Sequence, residues 1–350
     1  MAVGQGSLVS TFSYLALGRE STFGTGVTAT ATFEVISGSP KGMQGNKVLE
    51  QIERRRVYSK HIKTGKTVEG EFEAYFYPDS TACAWSLQNA IGGTITSATA
   101  TGETAGGSAF SHTVDIGNLS NQTYSALTFN MRKGDSTNGK VFEYNGMRTN
   151  EYTMSFEMDE ALKFSSGFVG KDFTSAGTDV ESLLTTASWE ALSFVNGRVS
   201  VENSFASLTS TSFWHVHGGQ ISISNNLKTG NEARRIGSDT LNVLDQGVAN
   251  ISMNLTMRFD TTTAIDAMTG NTKLSVELEF QGTTLGTSVI KRGLKFQMPC
   301  VYVEDAGDPS IGGPDEQIIS EVSFNVLHDA SSATGFSLRS ILTNDVSSYT

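Results

Sequence analysis

Two histidines one residue apart are the first candidates for chemistry in this 350-residue chain. His215 and His217 would lie on one face of an extended strand, a spacing that some metal sites use. A metal site needs a further ligand, and none of His61, His112 and His328 stands at a recognisable offset from the pair. We therefore interpret the two as solvated or core-edge histidines, and we predict neither a metal nor a cofactor.

The other catalytic patterns are also incomplete. Residues 64–67 (TGKT) resemble the end of a phosphate-binding loop, but Lys60 occupies the position of the required earlier glycine, so a hairpin turn explains them better. The sequence contains no nucleophile signature such as GxSxG. Cys83 and Cys300 belong to no CxxC pair and are expected to be small buried thiols. The chain is predicted not to be an enzyme.

Evenly spaced glutamates are a third candidate. Glu69, Glu71 and Glu73 alternate along one stretch, and Glu277 and Glu279 along another. Carboxylate pairs hydrolyse glycosides, but an active site would bring its two carboxylates from different strands. Acidic residues at a spacing of two along a single strand indicate a coated surface instead.

A strand followed by a capped helix must position the first group of glutamates. In VEGEFEAYFYPDSTACAWSL, residues 68–87, polar and apolar residues alternate, Pro78 ends the strand, and Asp79 or Ser80 can cap a helix. The apolar sides are expected to consist of Val68, Phe72, Ala74 and Phe76 in the strand and of Ala82, Trp85 and Leu87 in the helix.

The same unit occurs a second time, at residues 249–268. Its strand alternates, Asp260 and Thr261 are the expected caps, and the apolar side of its helix would consist of Ala264, Ile265 and Met268. The similarity continues upstream, between residues 52–62 and 231–241, and downstream, between residues 124–134 and 273–282. The chain is therefore predicted to use one domain type twice.

The domain boundaries follow from this repeat. We place the first domain at residues 1–172, a connector at 173–206 and the second domain at 207–350. Residues 38–66 form a long polar segment that reaches a neighbour or forms a mobile hairpin, and residues 91–110 are expected to be a flexible loop. A short helix is expected near 180–189, two strands at 293–304 and 318–327, and a C-terminal arm or frayed tail at 330–350.

The composition fits a folded, β-rich protein with many turns: 38% hydrophobic and 17% charged residues, with 36 glycines. The formal net charge of −11 argues against a chain that grips nucleic acid by its phosphates, though not against one that nucleic acid slides past. The first residues lack a signal-peptide pattern, and no stretch is apolar enough to span a membrane. We expect synthesis in the cytoplasm and no membrane partner.

Strands of this kind have one face packed on a core and one polar face. In a ring of such domains, sheets joined edge to edge would close into a large barrel with the polar face lining a pore. One residue of register slip would exchange the two faces.

Four segments resemble the tail tube proteins of long-tailed bacteriophages, in their longer form. They are YLALGRESTFGT at residues 14–25, GEFEAYFYPDS at 70–80, FEYNGMRTNEYTMSFEMDEALKFSSGFVGKD at 142–172 and ISISNNLKTGNEARRIGS at 221–238. The resemblance covers most of the chain. It implies a mainly β fold with two tandem β-sandwich tube domains, each flanked by a short α-helix, which assemble into stacked rings around a lumen through which the genome leaves the capsid.

The resemblance also implies roles by position. Strands at 68–77, 124–131, 249–259 and 273–280 would form the inner barrel, and double-stranded DNA in transit, without specific binding, would face Glu69, Glu71, Glu73, Glu277 and Glu279. Negative walls repel phosphate and prevent sticking. Two loops would reach the adjacent ring, or else remain solvated, through Arg54, Arg55, Arg56, Arg234 and Arg235.

Many tube proteins have one tube domain and form rings of six, so two domains per chain imply a trimeric ring with pseudo-sixfold symmetry. If the second half does not repeat the first, a hexamer is implied instead. Further implied partners are the tape measure protein, the tail terminator and baseplate or distal tail proteins, in the virion tail. The alternatives are another tail component (terminator or baseplate hub), a carbohydrate-binding β-sandwich protein and a β-sandwich hydrolase.

Overall fold

The computed structural model of this chain describes residues 13–51, 56–103, 107–117, 125–134, 139–184, 189–208, 213–286, 289–307, 309, 317–329 and 335–349. Within these residues the protein is mainly β, with eighteen strands and two short α-helices. Neighbouring strands pair in the antiparallel direction throughout.

The first part of the chain contains eleven strands and one helix. They are β1 (Tyr14–Arg19), β2 (Ala31–Phe33), β3 (Ser37–Gly38), β4 (Lys41–Val48), β5 (His61–Tyr75), α1 (Thr81–Ile91), β6 (Thr96–Thr99), β7 (Phe110–Gly117), β8 (Leu127–Lys133), β9 (Lys140–Glu157), β10 (Lys163–Gly170) and β11 (Asp172–Thr174).

The second part contains seven strands and one helix. They are β12 (Gly197–Glu202), β13 (Val216–Ser224), β14 (Asn250–Arg258), α2 (Thr263–Thr269), β15 (Leu274–Thr284), β16 (Lys291–Asp305), β17 (Ile319–Val326) and β18 (Phe336–Asn344).

One long sheet runs through both parts of the chain. It begins with β3 and β4, continues through β5, β10 and the C-terminal part of β9, and then passes to β13, β14, β17 and the C-terminal part of β16. Within the described residues its first and last strands do not pair with each other, so one chain forms an open sheet rather than a closed barrel.

The two parts show the same series of strand pairings. In the first, β5 leads through α1 to the hairpin β8–β9 and then to β10, which pairs with both β5 and β9. In the second, β14 leads through α2 to the hairpin β15–β16 and then to β17, which pairs with both β14 and β16. Likewise β1 pairs with β8 as β12 pairs with β15.

A second layer of strands covers the apolar face of the long sheet. In the first part of the chain it consists of β2, β1, β8 and the N-terminal part of β9. In the second part it consists of β12, β15, the N-terminal part of β16 and β18, and β7 and β6 of the first part extend it beyond β18. Aromatic rings join the layers: Phe72 lies 6.1 Å from Phe129, and Phe156 lies 5.2 Å from Phe280. This packing is that of a β-sandwich.

The two helices differ in how they begin. As predicted, Ser80 caps α1, where its side chain accepts a hydrogen bond of 3.4 Å from the backbone N–H of Cys83, and ten of the eleven helix residues are buried. By contrast α2 begins after Thr262 without a side-chain cap. The expected cap Asp260 instead pairs with Arg258 through one carboxylate oxygen and with His215 through the other.

Three segments expected to be loops or arms contain strands. The described residues of 38–66, for which a hairpin was one of the two expectations, include β4 and the first part of β5, which pair with each other; these strands are largely exposed and lack apolar alternation. Residues 91–110 contain β6, paired with β7. Residues 330–350 contain β18, which pairs with β16 and β7, so its described part is no frayed tail. Near 180–189 the described residues form only one 3₁₀ turn, Glu181–Leu183.

Candidate functional site

The polar face of the long sheet is the most extensive candidate surface. On β5 the side chains alternate as predicted: Val68 and Phe72 are buried in the core, whereas Glu69 and Glu71 are exposed on the other face and Glu73 is half-buried there. Strand β14 alternates in the same way, with Met253 buried and Asn254 exposed. The face prediction for these two strands is confirmed.

One row of eight directly opposed residues crosses this face from edge to edge. Small hydroxyl and amide side chains predominate in it, with one glutamate and one tyrosine. In spatial order the row is Ser37, Glu73, Ser165, Thr153, Ser222, Ser252, Asn325 and Tyr302. The hydroxyl and amide groups of this row are uncharged and therefore add no cation to the face.

More acidic residues lie on this face than the sequence prediction included. Glu151 and Glu157 on β9 are exposed, as are Glu304 on β16 and Glu321 on β17. The signal that could have identified them is the same alternation of buried and exposed residues that identified β5. The family resemblance implied lumen-facing glutamates only on β5 and β15.

Two cations of this face are held in ion pairs, whereas Lys41, directly opposite Glu69, is exposed and forms no ion pair with the described residues. Lys163 pairs with Glu160, and the guanidinium of Arg258 lies 2.6 Å from the carboxylate of Asp260. Hydrogen bonding from His215 is the main cause that holds the pKa of Asp260 below its ordinary value, so this carboxylate stays ionised beside its partners. The face therefore presents unpaired carboxylates and few unpaired cations to solvent.

Glu277 and Glu279 do not lie with the first group of glutamates. They belong to β15, which reaches the long sheet only through the N-terminal part of β16. Arg198 on β12 lies 3.0 Å from Glu277 and 2.5 Å from Glu279, and Lys295 lies 3.4 Å and 3.3 Å from them. These two carboxylates are therefore partly shielded and neutralised within the second layer. Strands β8 and β15, both expected in an inner barrel, are in that layer as well.

The arginine clusters have different surroundings. Arg54 and Arg55 lie outside the described residues, and Arg56 is exposed near the tip of the β4–β5 hairpin. Arg234 is half-buried, because its guanidinium donates a hydrogen bond of 2.8 Å to the carbonyl oxygen of Lys66 at the base of that hairpin. Its neighbour Arg235 is exposed. The loop of the second part thus braces the hairpin of the first.

The two parts of the chain join edge to edge through β9 and β13. Seven residue pairs connect these strands, from Gly218 opposite Glu157 to Ser224 opposite Glu151. The hydroxyl oxygens of Thr153 and Ser222 lie 3.2 Å apart across the junction. Backbone pairing of this kind fixes both the distance and the register of the neighbouring units.

Both outer edges of the long sheet are open within the described residues. Strand β4 pairs only with β5, and residues 302–305 of β16 pair only with β17. Ile36 immediately precedes β3 at the first edge and is 47% exposed, although its neighbour on β5, Ala74, is fully buried. Open edges of this length are sites for pairing with another chain.

The candidate metal ligands and the candidate nucleophile Cys83 can be judged from their surroundings. No group of three or more His, Cys, Asp and Glu residues in the described part of the chain is placed to hold a metal ion. Burial raises the pKa of the Cys83 thiol to about 11, so this cysteine is a packed side chain rather than a nucleophile. In the same residues no helix is long and apolar enough to cross a membrane.

The two-layer antiparallel fold with one extended polar face defines a β-sandwich protein. A family model described as phage tail tube protein matches residues 13–326, from the start of the described chain to the end of β17, so the chain belongs to the phage tail tube protein family. It is a structural component of the bacteriophage tail. A search of the curated proteins found no match.

Proposed function

We propose that this chain is the repeating subunit of a tail tube, and that copies join through the open edges of the long sheet into rings that stack around a conduit for DNA. The observation that carries the proposal is the β9–β13 junction. This junction joins two units edge to edge within one chain. At the outer edges of the sheet, the end of β16 corresponds to β9, and β3 with β4 corresponds to β13.

The equivalence of the edges follows from the pairings. In the first part, Ser165 is the residue between Thr153 and Glu73 in the row of opposed residues. In the second part, Asn325 is the residue between Tyr302 and Ser252. Since Thr153 faces Ser222 at the internal junction, Tyr302 of one copy would face Ser37 of the next.

The apolar side of the edge supports the same contact. Ile36 lies on the side of the strand that faces the core, and a neighbouring copy would cover its exposed part. Covering about half of an isoleucine side chain contributes roughly 1 kcal/mol at each junction. The backbone hydrogen bonds of the new strand pair add to this and fix its register.

Two equivalent units in each chain favour a ring of three copies with pseudo-sixfold symmetry. Each unit would supply four strands to the inner wall: β3–β4, β5, β10 and β9 from the first, and β13, β14, β17 and β16 from the second. We take residues 1–172 and 207–350 as the two tandem tube domains, joined by the connector 173–206.

The polar face would form the wall of the conduit. Glu69, Glu71 and Glu73 remain lumen-facing candidates, and Glu151 and Glu157 join them. Double-stranded DNA would pass this wall without specific binding, because carboxylates repel phosphate. We do not include Glu277 and Glu279, since Arg198 and Lys295 cover them in the second layer.

Contacts along the tube axis would involve the β4–β5 hairpin. Its exposed Arg56, with Arg54 and Arg55, is the better candidate for the adjacent ring, and Arg235 is a second one. Arg234 is occupied by the carbonyl of Lys66 within its own chain. The tape measure protein inside the tube, and a terminator and distal tail or baseplate proteins at its ends, complete the proposed set of partners.

Disulfide cross-linking tests the ring. We expect the double variant Ser37→Cys/Tyr302→Cys to form intermolecular disulfides under mild oxidation, giving a ladder on a non-reducing gel that ends at three chains. Each single variant should stay monomeric on the gel. Thr153→Cys/Ser222→Cys is the matched control, because its two positions are opposed within one chain and their hydroxyl oxygens are 3.2 Å apart. It should cross-link without a change of mass.

Two other outcomes of this experiment would change the proposal. A ladder that ends at six chains would keep the edge pairing and replace the trimer by a hexamer. Cross-linking in the control but not in the double variant would refute the edge pairing. End-on averages in negative-stain electron microscopy would count the subunits independently.

A further inference from the structure

The strands of the long sheet give it two chemically different ends. The β4–β5 hairpin extends the sheet at one end, which we call the hairpin end. The other end, which we call the turn end, contains the turn between β9 and β10 and the last residues of β16. The pairings show this, because Tyr75 at the far end of β5 lies opposite Lys163, which in turn lies opposite Ser155 near the end of β9. Along the 15 residues of β5 the ends are separated by about 50 Å.

The hairpin end is basic on an acidic chain. From Lys41 to Lys66 the sequence has eight Lys and Arg residues and two Glu, whereas the whole chain has a formal net charge of −11. Lys47 and Arg56 are exposed there, and neither belongs to an ion pair among the described residues. Exposed apolar side chains accompany them, with Val57 77% and Tyr58 54% exposed.

The turn end is acidic. Glu157 and Asp159 are exposed at the β9–β10 turn and Glu304 is exposed near the end of β16, and the described residues form no ion pair with any of the three. Glu157 and Glu304 occupy corresponding places in the two parts of the chain. Glu157 lies at the end of β9, which pairs with β10, and Glu304 lies near the end of β16, which pairs with β17. Exposed apolar residues occur here too, including Met158 at 53% and Ile318 at 39%.

We infer that the acidic turn end of one ring is the docking surface for the basic hairpin of the next ring, a second copy of this chain. This inference rests on the proposed function and adds to it the receiving surface, the polarity of stacking and its chemistry. A contact between two different ends of identical units is heterologous, and repeated along an axis it continues without closing, which is what a tube requires.

The two kinds of contact differ in their response to salt. Ring closure depends on backbone hydrogen bonds and apolar burial, which salt screens little. Stacking joins exposed charges of opposite sign, whose attraction falls as the Debye length shortens from about 10 Å at 0.1 M to about 3 Å at 1 M salt. Raising the salt concentration should therefore shorten tubes before it opens rings.

Charge reversal at each end gives a decisive test. The hairpin variant Lys47→Glu/Arg56→Glu and the turn variant Glu157→Lys/Glu304→Lys each place like charges at the stacking contact. We expect each variant alone to form rings while the fraction sedimenting as tubes falls by about tenfold or more. In an equimolar mixture the acidic hairpins meet basic turn ends, and basic hairpins meet acidic turn ends, so alternating tubes should form again.

Charge-preserving variants separate charge from shape. Lys47→Arg/Arg56→Lys and Glu157→Asp/Glu304→Asp should stack like the unchanged protein. The inference is overturned if either reversed variant forms normal tubes alone, or if the mixture of two ring-forming variants does not restore tubes. Absence of rings in the unchanged protein, together with absence of intermolecular cross-links in Ser37→Cys/Tyr302→Cys, would instead count against the proposed function. Circular dichroism spectra and melting curves show that each variant is folded before the mixture is scored.

Discussion

Replacing Phe72 by alanine tests which face of β5 belongs to the core. The ring of Phe72 is 2% exposed and lies 5.0 Å from Phe168, 5.8 Å from Phe164 and 6.1 Å from Phe129. Truncating a buried phenylalanine costs about 3–5 kcal/mol, through lost transfer free energy and the cavity that remains. Three aromatic neighbours place the expected loss of unfolding free energy in the upper half of that range.

The neighbouring residue supplies the matched control. Glu71 is exposed on the opposite face, so Glu71→Ala should change the unfolding free energy by no more than about 0.5 kcal/mol. Urea unfolding of unassembled protein, followed by circular dichroism, should give a midpoint lower by about 1 M or more for Phe72→Ala and nearly unchanged for Glu71→Ala. Equal shifts, or a larger shift for Glu71→Ala, would refute the assignment of faces and with it the proposed wall of the conduit.

Two further predictions concern single side chains. Burial lowers the pKa of His112 below its usual 6.5, so the folded state disfavours protonation of this side chain. The contribution of neutral His112 to the unfolding free energy should therefore be fully present above pH 6.5 and decline as the pH falls below it. Thermal melts of His112→Gln should lack that part of the decline. Ser80→Ala should cost about 1 kcal/mol in chemical unfolding because it removes a helix cap, whereas Thr262→Ala, which has no capping hydrogen bond, should cost much less; equal costs would contradict the cap assignment.

Local sequence patterns predicted the elements that have one buried face. Strands expected at 68–77, 249–259, 293–304 and 318–327 correspond to β5, β14, β16 and β17 within a few residues, except that β5 begins seven residues earlier. Alternation identifies such strands because the side-chain period of a strand is two. It reports a face and contains no information about the partner strand, so it could not show that β8 and β15 belong to the second layer.

The missed elements lack that signal or obtain their partners from far away in the chain. Strand β4 is exposed on both sides and is held by backbone hydrogen bonds to β5 alone. Strand β18 does show Phe336, Leu338 and Leu342 at even spacing, yet its partner β7 lies more than 200 residues away. The lumen-facing role of Glu277 and Glu279 was predicted from their spacing and the family resemblance, whereas the contacts of Arg198 and Lys295 show that they are shielded.

The hairpin β6–β7 connects the two parts of the chain. It comes from the first part but pairs with β18 of the second, where Arg339 holds Asp115 by two hydrogen bonds of 2.8 Å. The second part has only four residues between α2 and β15, too few for a corresponding hairpin. In the proposed ring, every second junction would therefore have this additional clamp.

A covalent connection and a clamp at alternate junctions change how a ring assembles. Half of the junctions then form within single chains, at an effective concentration set by the connector rather than by the amount of protein. Three associations between chains would suffice to close six units, each through the open edges at Ile36 and residues 302–305. The weaker, unclamped junctions would then decide the concentration at which rings appear, so Ile36→Ser, which removes the apolar contact of one edge, should raise that concentration while leaving the monomer folded.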